Sequence, residues 1–459
     1  MGRARVPAIV ILALSCATSL WAATPWTLQQ SLTESTGAAS DHFGWSVSMG
    51  NNVLVVGAPQ ATPPGATINQ GAAYIFVNPG TGWPSTPTAV LSEVPQTSQD
   101  VFGTSVAISP DGKTVVVGAT SHSVSSTKQN VGAAFVFVEP AGGWATTSSY
   151  TPTAQLSASD GLTGDSFGSS VAINGAANTI VVGAPQLASD ALEGGAVYIF
   201  QENPKTGWKT TAHFVAKLTA SNGGPGHYLG TSVAIDGNTV VAGAPYASAG
   251  TTTDVLCTQC GVTYVFVRGT NWTTGTETAQ LYALDGAADD ALGTSVAISL
   301  IKVSGVSVSI VVAGAPDAKI GTANRLQGAA YVFVEPASLA WVQYQTQTAK
   351  LIAKDGAEFD ELGTAVAISG SLVIAGAPDK TVDASGDEGE VYAFQVNPAT
   401  GRGQQTQELS LGTSVGSNDK LGYSVSLYVS GGVPAVLTGA PFETVGLNTS
   451  QGAAYVWGP

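Results

Sequence analysis

The chain has 459 residues, 44% of them hydrophobic and only 10% charged, which is ample material for a core. Its 16 Lys and Arg against 31 Asp and Glu leave a net charge of −15 at pH 7. That balance excludes the basic patches required by nucleic acid and disfavours attraction to an anionic lipid surface.

In chain order, the first expected element is an export signal. Arg3 and Arg5 precede an apolar core from Val6 to Leu14, too short to span a bilayer, with a small-residue cleavage point at Ala22 or Ala23. Residues 1–23 are therefore read as a signal peptide, and the mature chain is expected to be secreted or held at the cell surface. Lipid anchoring at Cys16 is the alternative. No later segment is long and apolar enough to cross a membrane. Next comes Trp26-Thr27-Leu28 running to Leu32, a short strand pattern.

From there one phrase repeats seven times. Phe43-Gly44, Phe102-Gly103, Phe167-Gly168, Leu229-Gly230, Leu292-Gly293, Leu362-Gly363 and Leu421-Gly422 recur every 59 to 70 residues. Each pair opens a β-branched run ending in Gly-Ala-Pro or a variant, as at Gly57-Ala58-Pro59 and Gly118-Ala119-Thr120. A variable connector follows, then an aromatic strand centred on Tyr74, Phe135, Tyr198, Tyr264, Tyr331, Tyr392 or Tyr455. A weaker mark is a tryptophan leading into a Thr-Ala-x-Leu strand, as from Trp144 to Leu156. The β-branched runs read as strands buried on both faces. Proline after Gly-Ala ends a strand, because it cannot donate to a ladder. Asp111-Gly112 and Asp236-Gly237-Asn238 read as hairpin turns.

Four strands in each of seven units predict an all-β fold, a seven-bladed β-propeller over residues 24–459. The last unit stops at its third strand, Tyr455-Val456-Trp457. The segment from Trp26 to Leu32 carries the missing fourth-strand pattern. It is expected to complete the last blade and to hide the sheet edges of an open array.

These residues carry a resemblance. Phe-Gly followed by Gly-Ala-Pro, seven times over, resembles the FG-GAP repeat of integrin α-chain propellers and of exported bacterial proteins. The resemblance covers Trp26 to Trp457 and implies a propeller with a role in adhesion or surface interaction. Integrin-type units often hold calcium in an Asp-x-Asp-x-Asp-Gly loop between the first two strands. Here those connectors, such as Gly50-Asn51-Asn52 and Gly175-Ala176-Ala177, lack the several oxygen ligands that calcium needs. No cofactor is expected, with calcium at the usual family position disfavoured.

Acids cluster instead before the Phe/Leu-Gly pair: Asp160 with Asp165, Asp285 with Asp290, and Asp355 with Asp360. An Asp two residues before Phe or Leu recurs in six units, which suits a turn that accepts backbone N–H groups. The sharper reading is weak cation binding by these pairs. Recognition is expected on the connectors between second and third strands, the most variable part of the unit. Tyr246 and Phe442 are candidates to line the central mouth, with Asp254, Asp317 and Asp379 around them, and packing between blades is the alternative for both aromatics. The recurrent tryptophans Trp83, Trp144, Trp208, Trp272 and Trp341 are read as blade packing rather than sugar platforms. Cys257 and Cys260 are read as a local disulfide in an exported loop.

Enzyme signals are poor. The four histidines, His42, His122, His213 and His227, occupy unrelated repeat positions. Gly412-Thr413-Ser414-Val415-Gly416 matches a nucleophile-elbow pattern, but sits between expected strands rather than at a strand-to-helix turn. The chain is therefore expected to be a non-catalytic binder of an extracellular protein or glycan. A lectin-type sugar binder is the first alternative, and a carbohydrate-active hydrolase or lyase the second.

Overall fold

The computed structural model describes residues 25–34, 36–64, 66, 69–93, 100–125, 128–144, 148–186, 194–251, 253–303, 305–321, 325–336, 340–382, 386–397, 402–412 and 418–459. The expected signal peptide and residues 413–416 of the Gly-x-Ser-x-Gly segment lie outside them. Among the described residues there is no α-helix, and so none long and apolar enough to cross a membrane.

The strands form seven blades. Blade 2 shows the plan: Phe102–Ile108, Thr114–Ala119, Ala133–Val138 and Ala154–Leu156 pair antiparallel in that order. First strands sit innermost and neighbour one another around the ring, ending with Ser424–Ser430 beside Ser46–Gly50. Closure is by the N-terminal segment. Thr27–Leu32 pairs antiparallel with Ala453–Gly458 and becomes the fourth strand of blade 7.

Among the described residues, three blades carry a further outer strand. Ser148–Tyr150, Gly275–Thr276 and Tyr344–Thr346 each run parallel to the fourth strand of the preceding blade. These segments bind neighbouring blades together at the rim.

The hydrophobic interior is divided into seven clusters, and each lies between two adjacent blades. Trp144, Trp208, Trp272 and Trp341 are buried within such clusters, and Trp83 packs against another. Their stacking faces are therefore covered by protein.

The repeated glycines have a mechanical cause. In all seven units the residue after Phe/Leu-Gly donates its N–H to the carbonyl three residues earlier, as Thr104 does to Val101 and Trp45 to His42. The glycine is the third residue of this turn, with φ between 90° and 101°, the position where a side chain is disfavoured. A Cβ at Gly103 would lie 2.4 Å from the Ala72 carbonyl oxygen of the preceding blade. The Gly-Ala-Pro glycine meets the other side of the same joint. A Cβ at Gly57 would lie 2.2 Å from the Gly103 carbonyl oxygen. Ser46 donates its hydroxyl to that oxygen at 2.8 Å, and Ser105, Ser170, Ser232 and Ser424 repeat the bond in other blades. The motif is thus the joint between blades.

Candidate functional site

Strand register places four features at one end of each blade. They are the Phe/Leu-Gly turn, the Gly-Ala-Pro end, the start of the third strand and the end of the fourth. The variable connectors and the acid-bearing connectors therefore share one face. At its centre is a mouth of about 530 Å³ to which every blade contributes the residue after its Phe/Leu-Gly pair: Trp45, Thr104, Ser169, Thr231, Thr294, Thr364 and Tyr423.

Five of these are hydroxyl residues, and all five commit their proton. Thr104, Ser169, Thr231, Thr294 and Thr364 each donate to the carbonyl three residues earlier, at 2.7 to 2.9 Å. The hydroxyl oxygens are left as acceptors for groups entering the mouth. The other two positions are aromatic and seed a cluster. Trp45 and Tyr423 have ring centroids 4.8 Å apart, Phe442 lies 5.9 Å from Tyr423, and His42 lies 5.1 Å from Phe442. Burial pushes His42 below the usual imidazole range, although Asp41 opposes this, and so favours the neutral ring. Tyr228 lines the mouth in blade 4 and packs edge-on against Tyr246 at 5.8 Å.

Backbone strain surrounds the mouth. The residue before Phe or Leu is left-handed in all seven units: His42, Val101, Ser166, Tyr228, Ala291, Glu361 and Lys420 have φ between 56° and 61°. Such conformations are disfavoured for side chains, most of all for β-branched Val101. They hold seven different side chains at equivalent places on one face.

Of the residues expected from sequence to recognise a ligand, Phe442 joins the mouth cluster. Tyr246 is 41% exposed beside Tyr228. Asp254 is exposed at a hairpin formed by Ala249–Gly250 and Val255–Cys257, where Thr251 Oγ1 accepts its N–H. Cys257 and Cys260 are joined at the base of that hairpin, and Val255 and Leu256 project from it. Asp379 accepts a 2.6 Å bond from Lys420, which also reaches Asp387. Burial and the nearby Asp290 and Asp289 hold the Asp317 carboxyl above its usual range. Burial, Asp379 and Asp317 push Glu361 up to about 7. The blade 5 and 6 side of the face is electronegative.

The acids expected to hold a cation have other partners. Asp165, Asp290 and Asp360 are buried and accept the backbone N–H three residues earlier, from Leu162, Ala287 and Ala357. Asp160 pairs with Lys217 and Asp285 with Lys350, while Lys380 reaches both Asp355 and Asp360. Among the described residues one group of three metal-ligating side chains comes together, and it is a different one: Glu93, Asp100 and His122. Trp45, Tyr423 and Tyr228 were also missed from sequence. Their signal was present, since Trp45 and Tyr423 interrupt a position that is Thr or Ser in the other five units.

Comparison with known proteins places this geometry. Among curated proteins, no sequence matches the chain. Among solved structures, Sqt1 of Saccharomyces cerevisiae is similar at 12% identity and a TM-score of 0.46, covering 94% of this chain and 99% of its own. The periplasmic gluconolactonase PpgL of Pseudomonas aeruginosa is similar at 11% identity and a TM-score of 0.44, covering 80% and 85%. The FG-GAP repeat matches residues 26–76, 95–137, 150–200, 213–266 and 345–394, more than half of the sequence. With seven Phe/Leu-Gly turns each locked against a neighbouring blade, the chain belongs to the FG-GAP repeat family.

Proposed function

We propose that this chain is an exported, non-catalytic propeller that binds an extracellular protein or glycan through its loop-bearing face, in an adhesion or surface-interaction role. The observation that carries the reading is the mouth. It joins the half-buried rings of Trp45 and Tyr423 and the exposed ring of Tyr228 to a ring of hydroxyl acceptors, on a face of left-handed turns with seven different side chains. Aromatic faces take up apolar sugar faces and cationic groups, and acceptors take up their hydroxyl or ammonium donors. Among the described residues its lining contains no carboxylate, histidine or cysteine, its ionisable groups are the phenols of Tyr228 and Tyr423, and burial pushes Tyr423 up to about 12. That favours binding over hydrolysis or lysis.

A lectin is the second reading, favoured by the pairing of Trp45 and Tyr423 with hydroxyl acceptors. The export signal at residues 1–23 supports a ligand outside the cytoplasm. The test is an array of glycans and extracellular proteins probed with the chain lacking residues 1–23. Saturable retention of one class, without release of a cleaved product, is expected. Turnover of a glycan, abolished by one Asp→Asn change, would replace the reading with an enzymatic one.

A further inference from the structure

The Glu93, Asp100 and His122 group lies where blade 1 passes into blade 2. Glu93 follows the fourth strand of blade 1, Ala89–Leu91. Asp100 stands in the connector to blade 2, and His122 follows the second strand of that blade, Thr114–Ala119. The two carboxylates are 2% and 1% exposed. His122 Nδ1 lies 2.8 Å from Asp100 Oδ2 and 3.1 Å from Glu93 Oε2. Neither Glu93 oxygen makes a hydrogen bond of normal geometry. On the far side of the ring, Gln155 Nε2 is 3.0 Å from His122 Nε2.

The propeller does not need this group. At the position of Glu93 four other units carry Ala158, Ala220, Ala283 and Ala353, blade 6 carries Leu411 and blade 7 carries Glu34. At the position of His122 other units carry Ala61, Leu187, Ala247, Ala318 and Glu443. Blade 6 places Lys380 there, and its amine sits on Asp355 and Asp360. Blade 2 has two buried carboxylates and an imidazole in place of that amine. A buried carboxylate without a hydrogen bond is costly unless it holds a proton or a cation compensates it.

We propose that Glu93, Asp100 and His122 bind a divalent transition cation of the zinc class at the junction of blades 1 and 2. One nitrogen and two carboxylate oxygens suit zinc, whereas calcium prefers an all-oxygen shell. Tetrahedral bonds of about 2.0–2.2 Å place neighbouring ligand atoms about 3.3–3.6 Å apart, so the 2.8 and 3.1 Å imidazole–carboxylate spacings must open by about 0.5 Å. Cation binding at Nδ1 leaves the imidazole proton on Nε2, and the Gln155 amide, turned so that its oxygen faces Nε2, accepts it, the outer-shell contact that orients a metal-bound imidazole. The cation ties the outgoing strand of one blade to two connectors of the next.

The test is titration of chelator-treated full-length chain with zinc, and with cobalt for its visible absorption. One equivalent is expected to bind, with an absorption spectrum of a nitrogen–oxygen site. Glu93→Gln and His122→Asn, which keep the shape of the corner, are expected to abolish it. Gln155→Leu is expected to weaken binding by about 10- to 100-fold. Circular dichroism reports whether each variant folds, and the wild-type spectrum stands without them. No stoichiometric zinc or cobalt binding to the wild-type chain would overturn the proposal. So would binding unchanged in folded Glu93→Gln and His122→Asn, or equal competition by calcium.

Discussion

Trp45 and Tyr423 come from the first and last units of the chain, yet they share one aromatic cluster with Phe442 and His42. Their contact is a product of ring closure, so no local pattern announces it. Phe442 and Tyr246 each directly follow Gly-Ala-Pro, and they pack against the lining residues Tyr423 and Tyr228 rather than lining the mouth themselves. The Glu93 and His122 contact was not legible, because their connectors meet only across a blade junction. Two other buried acids make the chain sensitive to pH. Burial, then the neighbouring Asp41, raises Glu34 to about 8. Burial raises Glu443 to about 7, with Asp419 adding to the effect, although its bond to Tyr455 opposes it. Both values exceed the ordinary 4.5, so the folded chain keeps protons that the unfolded chain releases. This contribution to stability is complete below about 4.5 and is lost as pH rises through about 7 to 8. The urea midpoint is expected to be higher at about pH 5.5 than at about pH 8.5. Glu34→Gln with Glu443→Gln should narrow the difference, with Glu361, Glu93 and Glu390, each raised to about 7, supplying the rest. An equal or higher midpoint at the alkaline end would show that these carboxyls ionise freely in the folded chain.

At the scale of the element, the Phe/Leu-Gly turn and the Gly-Ala-Pro end act as one joint, which is why they were readable together. Each glycine stands where a neighbouring blade's backbone leaves no room for a Cβ, so the motif recurs with the blades. The three parallel outer strands were not readable. They are two or three residues long, and their partner is another unit's fourth strand. Gly103→Ala combines a φ of 94° with a Cβ 2.4 Å from the Ala72 oxygen. It is expected to cost at least about 2 kcal/mol in denaturant unfolding. Gly80→Ala, at a similar φ of 92° but with nothing within 4 Å, carries only the backbone strain of about 1–2 kcal/mol. If the two variants unfold together, crowding between blades is not what the repeat protects.

At the scale of the whole molecule, the propeller is held by seven interfaces and closed by one borrowed strand. Fold and closure were legible because a unit lacking its fourth strand and a leading strand without a unit complement each other. Deleting residues 27–32 would expose the edge of Ala453–Gly458 and uncover the cluster that Leu32 helps to fill, with Leu437, Ala454 and Val456. Loss of the single cooperative melting transition, with aggregation, is expected on calorimetry. A sharp transition within a few degrees of the intact chain would mean that closure is dispensable. The ring also gathers seven turns around one mouth, and there the functional account rests. Its most direct test is titration of the ligand retained on the array against three proteins: the intact chain, Trp45→Ala with Tyr423→Ala, and Val306→Ser on the opposite face. The mouth variant is expected to lose about tenfold or more in affinity, at roughly 0.5–1.5 kcal/mol for each aromatic contact. The Val306→Ser control should bind as the intact chain does. Unchanged affinity in the folded mouth variant would contradict the account and move recognition away from the mouth.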